Sequence, residues 1–257
     1  MWTREELKTR AKSVLKDNYW KALLISIVIT LSSVNGDQIN YNINDHRVSF
    51  EGLPGYIFNR ITDYTFDSRD FFIIAIGLVL STIAFRILIG FSLEVGGRKY
   101  FIQSARRMDN KKCFTFAFIG QNYTHIIAAM IRKAIYNFLW TLLLIIPGII
   151  KHYEYRMVPY ILADNPNIGS KESIKLSMDM TEGHKFNMFV LDLSFIGWII
   201  LGALALGVGI YFVNPYIFAT EAELYLVLRN NAIEGKYNNY EKLLLNNGSD
   251  DSTGQDM

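Results

Sequence analysis

Cysteine is almost missing from this 257-residue chain. Cys113 stands alone, so no intramolecular disulfide can form and the redox compartment leaves no trace. Charge is scarce too: Asp, Glu, Lys and Arg supply 19% of the residues, against about 25% in a typical soluble domain. The net charge of +2 is too small to point to nucleic acid, and the basic residues are expected to face lipid headgroups and set topology. His125, His152 and His184 lie far apart, without H-x-x-x-H spacing, so no metal site is expected. There is no Gly-rich phosphate loop and no G-x-S-x-G elbow, and Cys113 has no paired histidine nearby. Neither a cofactor nor enzymatic activity is therefore expected. The first 21 residues mix both charge signs and lack a small-residue cleavage site, so no cleavable signal peptide is expected.

What is abundant is uninterrupted apolar sequence. Residues 71–85, FFIIAIGLVLSTIAF, carry no charge, and residues 186–213, FNMFVLDLSFIGWIILGALALGVGIYFV, carry only Asp192. Crossing a hydrocarbon core takes about 20 mostly apolar residues, and both segments qualify. The expectation is an all-α, polytopic helix bundle in a membrane, with one membrane domain over 1–230 and a polar, partly disordered cytoplasmic tail over 231–257.

Along the chain, residues 3–19 place Leu7, Ala11, Val14 and Leu15 at helical spacing, with Lys8, Lys12 and Lys16 opposite. Thr3 and Glu6 match a capping box. This amphipathic helix either lies on the membrane surface or packs on the protein's own cytoplasmic side. The next apolar stretches are about 20–34, 71–93 and 124–150, the last broken at Pro147-Gly148. Asp164-Asn165-Pro166-Asn167 reads as a turn, 170–182 as an amphipathic helix with Ile174, Leu176 and Met178, and Asn214-Pro215 as an interruption before 216–229.

Charge asymmetry orients these segments. The N-terminal 21 residues hold six Lys/Arg against three acids, and 94–123 hold six against two, which puts both in the cytoplasm. The loop 35–70 has three Arg against six acids and is expected outside. Two arrangements remain open beyond residue 150. In a six-span arrangement 149–163 crosses, 164–185 is a cytoplasmic amphipathic segment, and 186–206 and 208–229 form a hairpin. In a four-span arrangement 151–185 is extracellular. Both place the C-terminus inside.

The run LLLIIPGIIKHYEYRMVPYILADNP, followed by SIKLSMDMTEGHKFNMFVLDLSFIGWIIL and NPYIFATEAELY, resembles the bacterial membrane family known as domain of unknown function 975. With the opening REELKTRAKSVLKDNYW, the resemblance covers about residues 3–230. More distantly it is similar to membrane domains fused to glycerophosphodiester phosphodiesterases. The resemblance implies six helices and favours the six-span arrangement, which is expected in the bacterial cytoplasmic membrane. It implies no activity, and the loop 35–70 falls outside the pattern.

Ionisable groups in hydrocarbon are costly, so they pair or line cavities. Arg86 sits seven residues before the cytoplasmic end of the second span and Asp192 six residues into 186–206, depths of about 10 and 9 Å, so a buried Arg86–Asp192 pair is a candidate. Lys151, His152, Glu154 and Arg156, at helical i, i+3 and i, i+4 spacing, form a candidate polar vestibule. Arg98, Lys99, Arg106 and Arg107 are candidate headgroup contacts, as are Lys111, Lys112, His184 and Lys185. Gly183 is read as the turn into the span and Trp198 as an anchor. Small residues at 202–209 permit close helix approach. Glu221 and Glu223 are weaker signals. The function these features suggest is a non-enzymatic accessory that binds the lipid bilayer or another membrane protein in envelope homeostasis or export. The alternatives are a small-solute or ion transporter using Arg86 and Asp192, and a membrane enzyme using His152 and Glu154.

Overall fold

A computed structural model describes residues 2–33, 68–204, 209–237 and 239–244. The described residues are helical, with no strand among them. The chain divides into two compact units, Val34–Arg86 and the remainder, Met1–Ser33 with Ile87–Met257. The expected extracellular loop up to residue 67 and the tail beyond 244 lie outside the described residues.

In the first unit the described element is α2, Ser68–Phe85, whose apolar side chains Phe72, Ile73, Ile76, Leu78 and Leu80 are all exposed. A π-helical turn over Arg86–Gly90 leads onward.

The second unit begins with α1, Arg4–Ser33, a single helix kinked at Asn18 (φ −132, ψ 23). Its start is capped as the sequence suggests, with the Glu6 N–H donating to the Thr3 hydroxyl at 3.3 Å. Leu7, Ala11 and Leu15 are buried in the protein's own core, which favours the second of the two readings of this helix. Each such Leu stabilises the packing by roughly 1.5–3 kcal/mol where the alternative is water. The Lys8 ammonium donates to the Ser194 carbonyl at 3.3 Å and lies 4.2 Å from the Phe195 ring centroid. Burial lowers its pKa from the ordinary lysine value, with Arg4 and Lys12 adding to the effect.

Helix α3, Phe91–Ala105, packs against α1 and turns Val95, Tyr100, Phe101 and Ile102 into the core. This departs from the expectation that the basic segment 94–123 faces water or headgroups. Its cationic residues obscured an apolar face that serves as core. Helix α4, Gly120–Leu143, and helix α5, Ile145–Glu154, form a hairpin that turns at Leu144, which is extended (φ −157, ψ 136). The break thus lies three residues before Pro147, which sits in the first turn of α5. There the backbone N–H groups have no intrahelical partner, so proline removes nothing the helix uses. Gly148 has a packing role: a Cβ there would fall 2.8 Å from the Thr141 Cα on the opposing helix.

Two short helices follow, α6 (Val158–Asp164) and α7 (Ser170–Thr181). Between them the Asn165 side chain accepts from the Asn167 N–H at 2.9 Å, closing the expected turn. Gly183 adopts a left-handed φ of +74, which lets the chain pivot from α7 into α8, Lys185–Leu193. The long apolar run is not one rod. It breaks at Ser194–Phe195, continues as α9 (Ile196–Leu204), and packs back as α10 (Gly209–Glu234). Gly202 makes this possible, because a Cβ there would meet the Gly209 backbone at 2.8 Å. Pro215 lies inside α10 without ending it, and the neighbouring Asn214 amide donates to the Thr30 hydroxyl of α1 at 2.9 Å. Part of the expected polar tail is docked: α11, Glu241–Leu244, buries Leu243.

Candidate functional site

Two three-residue ladders meet in the core. Arg156, in the turn before α6, and Tyr160 and Asp164 within it recur every fourth residue, and Glu221, Tyr225 and Arg229 do so along α10. In a helix that spacing keeps side chains on one face. The ladders pair rung by rung. Arg156 bonds Glu221, Tyr160 stacks on Tyr225 with ring centroids 5.5 Å apart, and Arg229 donates to Asp164 at 2.6 Å. The charges run in opposite order on the two segments, so only this register matches every rung.

The first rung broadens into a four-charge cluster. Glu221 accepts from Arg156, from Arg98 of α3 at 2.8 Å and from the Tyr160 hydroxyl at 2.7 Å. Arg156 also grips Asp192 of α8 with both guanidinium nitrogens, at 2.7 and 2.8 Å, and the Tyr153 hydroxyl donates to the same carboxylate at 2.9 Å. Two arginines face two carboxylates, and the Arg98 guanidinium lies 4.4 Å from the Phe218 ring centroid. Bidentate and charge-assisted geometry of this kind offsets the desolvation that burying ions costs.

The last rung is a second cluster. Asp164 accepts from Arg229, from both terminal nitrogens of Arg106 at 3.1 and 3.3 Å, and from the Tyr225 hydroxyl at 3.1 Å. Arg229 reaches further, donating to the Leu243 carbonyl at 2.6 Å and so holding α11 in place. A third cluster centres on Glu154, which takes the Lys151 and Lys185 ammonium groups at 2.6 Å each, while its backbone carbonyl accepts from the Ser177 hydroxyl.

The candidate residues therefore redistribute. Asp192 is engaged by Arg156 and Tyr153, which joins one member of the expected ion pair to one of the expected vestibule. Arg86, its expected partner, belongs to the other unit. Of the vestibule residues, Lys151 and Glu154 pair as the i, i+3 spacing suggests, and His152 is exposed, with its ring nitrogen 3.4 Å from the Asn137 amide. Among the candidate headgroup contacts, Arg98, Arg106 and Lys185 are turned inward onto carboxylates, because buried acids need counter-charges more than the surface needs cations. Lys99 lies 3.7 Å from the Phe116 ring centroid. Arg107, Lys111 and Lys112 remain exposed. His184 is part-buried beside the Trp2 ring, and burial pushes its imidazole below the ordinary range, which keeps it neutral at pH 7. Cys113 is buried. Among the described residues no group of three His, Cys, Asp or Glu is placed to hold a metal.

Together these features define an all-helical protein with a charge-paired core and three helices long and apolar enough to cross a membrane, Phe72–Ala105, Gly120–Leu143 and Lys185–Leu204. Residues 72–232 match the family described as Protein of unknown function (DUF975), and the chain belongs to that family. The match starts later than the resemblance read from the sequence and leaves α1 outside it. No curated protein and no solved structure matches the chain.

Proposed function

We propose that the chain is an integral protein of the cytoplasmic membrane with six spans and both termini inside. It serves as a non-enzymatic accessory that binds lipid headgroups or a partner membrane protein in envelope homeostasis or export. The observation that carries this reading is the separation of surfaces. Exposed apolar side chains crowd the α4–α5 hairpin (Leu142, Leu143, Ile145, Ile146) and α9 (Ile200, Leu201, Leu204), while Arg98, Arg156, Glu221, Asp164 and Arg229 in the core are paired with counter-ions. Carboxylates held by two or three donors are suited to fixing helix register, which weighs against using Asp192 or Glu154 as a transport or catalytic group. Six spans draw support from the two hairpins, α4–α5 and α9–α10, and from the apolar Asn18–Thr30 half of α1.

Topology is tested by replacing Cys113 with serine and placing a single cysteine at Lys171, an exposed position on α7. Protection from an impermeant thiol reagent in intact cells, with labelling after permeabilisation, is the expected result. Labelling in intact cells would establish four spans. Headgroup binding is tested on Lys111→Gln/Lys112→Gln, since a cation near an anionic surface contributes about 1 kcal/mol. Retention of anionic lipid by the purified protein should fall several-fold, and unchanged retention counts against the lipid reading.

A further inference from the structure

In the second unit, α1, the end of α3 and α10 border a half-open cavity of about 450 Å³. It falls within the roughly 300–1,000 Å³ typical of small-ligand sites. Four arginines line it: Arg10, Arg106, Arg107 and Arg229. Arg106 and Arg229 share a single carboxylate, Asp164, so that cluster carries one uncompensated positive charge against the cavity. Arg107 adds another from an unusual position. Its φ of 58 is left-handed, where glycine or asparagine is the ordinary choice. The same cavity is lined by Glu223, which is 6% exposed and makes no hydrogen bond or ion pair among those described, with Arg10 the basic group acting on it. Surplus guanidinium beside a buried carboxylate that accepts no hydrogen bond among those described is complementary to a ligand carrying both signs.

We propose that this cavity binds a phosphate ester bearing a primary ammonium group, of the phosphoethanolamine class. The phosphate is taken by the arginines, and the ammonium is taken by Glu223. Arginine suits the phosphate because its planar fork matches two phosphate oxygens. Glu223 suits the ammonium because a buried carboxylate without donors gains most from one that arrives with the ligand. Ala105, Val14 and Leu226 supply an apolar edge for the carbons between the two charges. The chemistry is shared by a soluble phosphoamine and a phospholipid headgroup. The assignment deepens the lipid reading above without depending on it.

The test uses the full chain in detergent, with binding followed by calorimetry. The probes are O-phosphoethanolamine, inorganic phosphate, and the dihexanoyl forms of phosphatidylethanolamine and phosphatidylcholine. O-phosphoethanolamine is expected to bind and phosphatidylcholine to bind more weakly than phosphatidylethanolamine, since a quaternary ammonium cannot donate a hydrogen bond. Glu223→Gln should weaken O-phosphoethanolamine roughly tenfold or more while leaving inorganic phosphate unchanged or tighter. Arg107→Gly should weaken both several-fold while keeping or raising Tm, because it relieves the left-handed backbone. Binding of the free phosphoamine but not the lipid would uphold the cavity and defeat the lipid reading. Binding of the lipid alone would uphold both. The proposal is overturned if neither ammonium-bearing probe binds, or if Glu223→Gln weakens phosphate and phosphoethanolamine equally.

Discussion

Glu221→Ala is expected to leave little folded protein. The carboxylate takes donors from Arg98, Arg156 and Tyr160, and these come from two separate parts of the chain. Removing it leaves two guanidinium groups facing one another, with Asp192 reaching Arg156 and Glu94 acting on Arg98. Stripping one partner from a buried ionic cluster costs about 3–5 kcal/mol. That is a large share of the 5–15 kcal/mol by which folded domains typically exceed their unfolded states. For a domain of about 150–250 residues each kcal/mol lowers Tm by roughly 2–4 °C, so the expected fall is on the order of 10 °C. Glu221→Gln should fall between the wild type and the alanine variant, because an amide oxygen accepts but carries no charge. The measurement is the size-exclusion profile and Tm of solubilised protein. A variant that accumulates normally, with Tm unchanged, would show that the cluster is not what fixes these helices.

How much of this was visible in the sequence depends on which interaction set the position. Apolar runs and turn residues were legible because they act locally. The helical character, the capping box at Thr3, the pivot at Gly183 and the turn after Asp164 follow from neighbouring residues. The breaks were misplaced where proline was read as a terminator, since Pro147 opens a helix and Pro215 sits within one. Basic residues were read as surface groups because charge usually seeks water, yet Arg98 and Arg106 answer carboxylates more than fifty residues away. The ladders themselves were written in the sequence as R-x-x-x-Y-x-x-x-D and E-x-x-x-Y-x-x-x-R, two patterns of reversed polarity. Each alone is an ordinary helical spacing. Only the pairing of the two segments, which no single-chain periodicity reports, turns them into an interaction.

That pairing yields the second large effect, at the opposite end of the ladder. Asp164→Ala is expected to destabilise the protein about as strongly as Glu221→Ala, because it strands Arg229, Arg106 and the Tyr225 hydroxyl together. The informative variant is the double one. Arg229→Ala alone leaves Asp164 with Arg106 and Tyr225, and frees the Leu243 carbonyl that holds α11. Asp164→Ala/Arg229→Ala removes the buried like-charge conflict that the first substitution creates and leaves only Arg106, whose side chain is 24% exposed and can turn to solvent. The double variant should therefore be more stable than the two separate losses would sum to, with a coupling of about 1–3 kcal/mol. Strict additivity of the Tm changes would mean the rung contributes packing and no ionic coupling. The register between these segments would then rest on the Glu221 contacts and the Tyr160–Tyr225 stack. Coupling at this end, together with a collapse on losing Glu221 at the other, would show that the two segments are aligned by opposed charge along their whole contact.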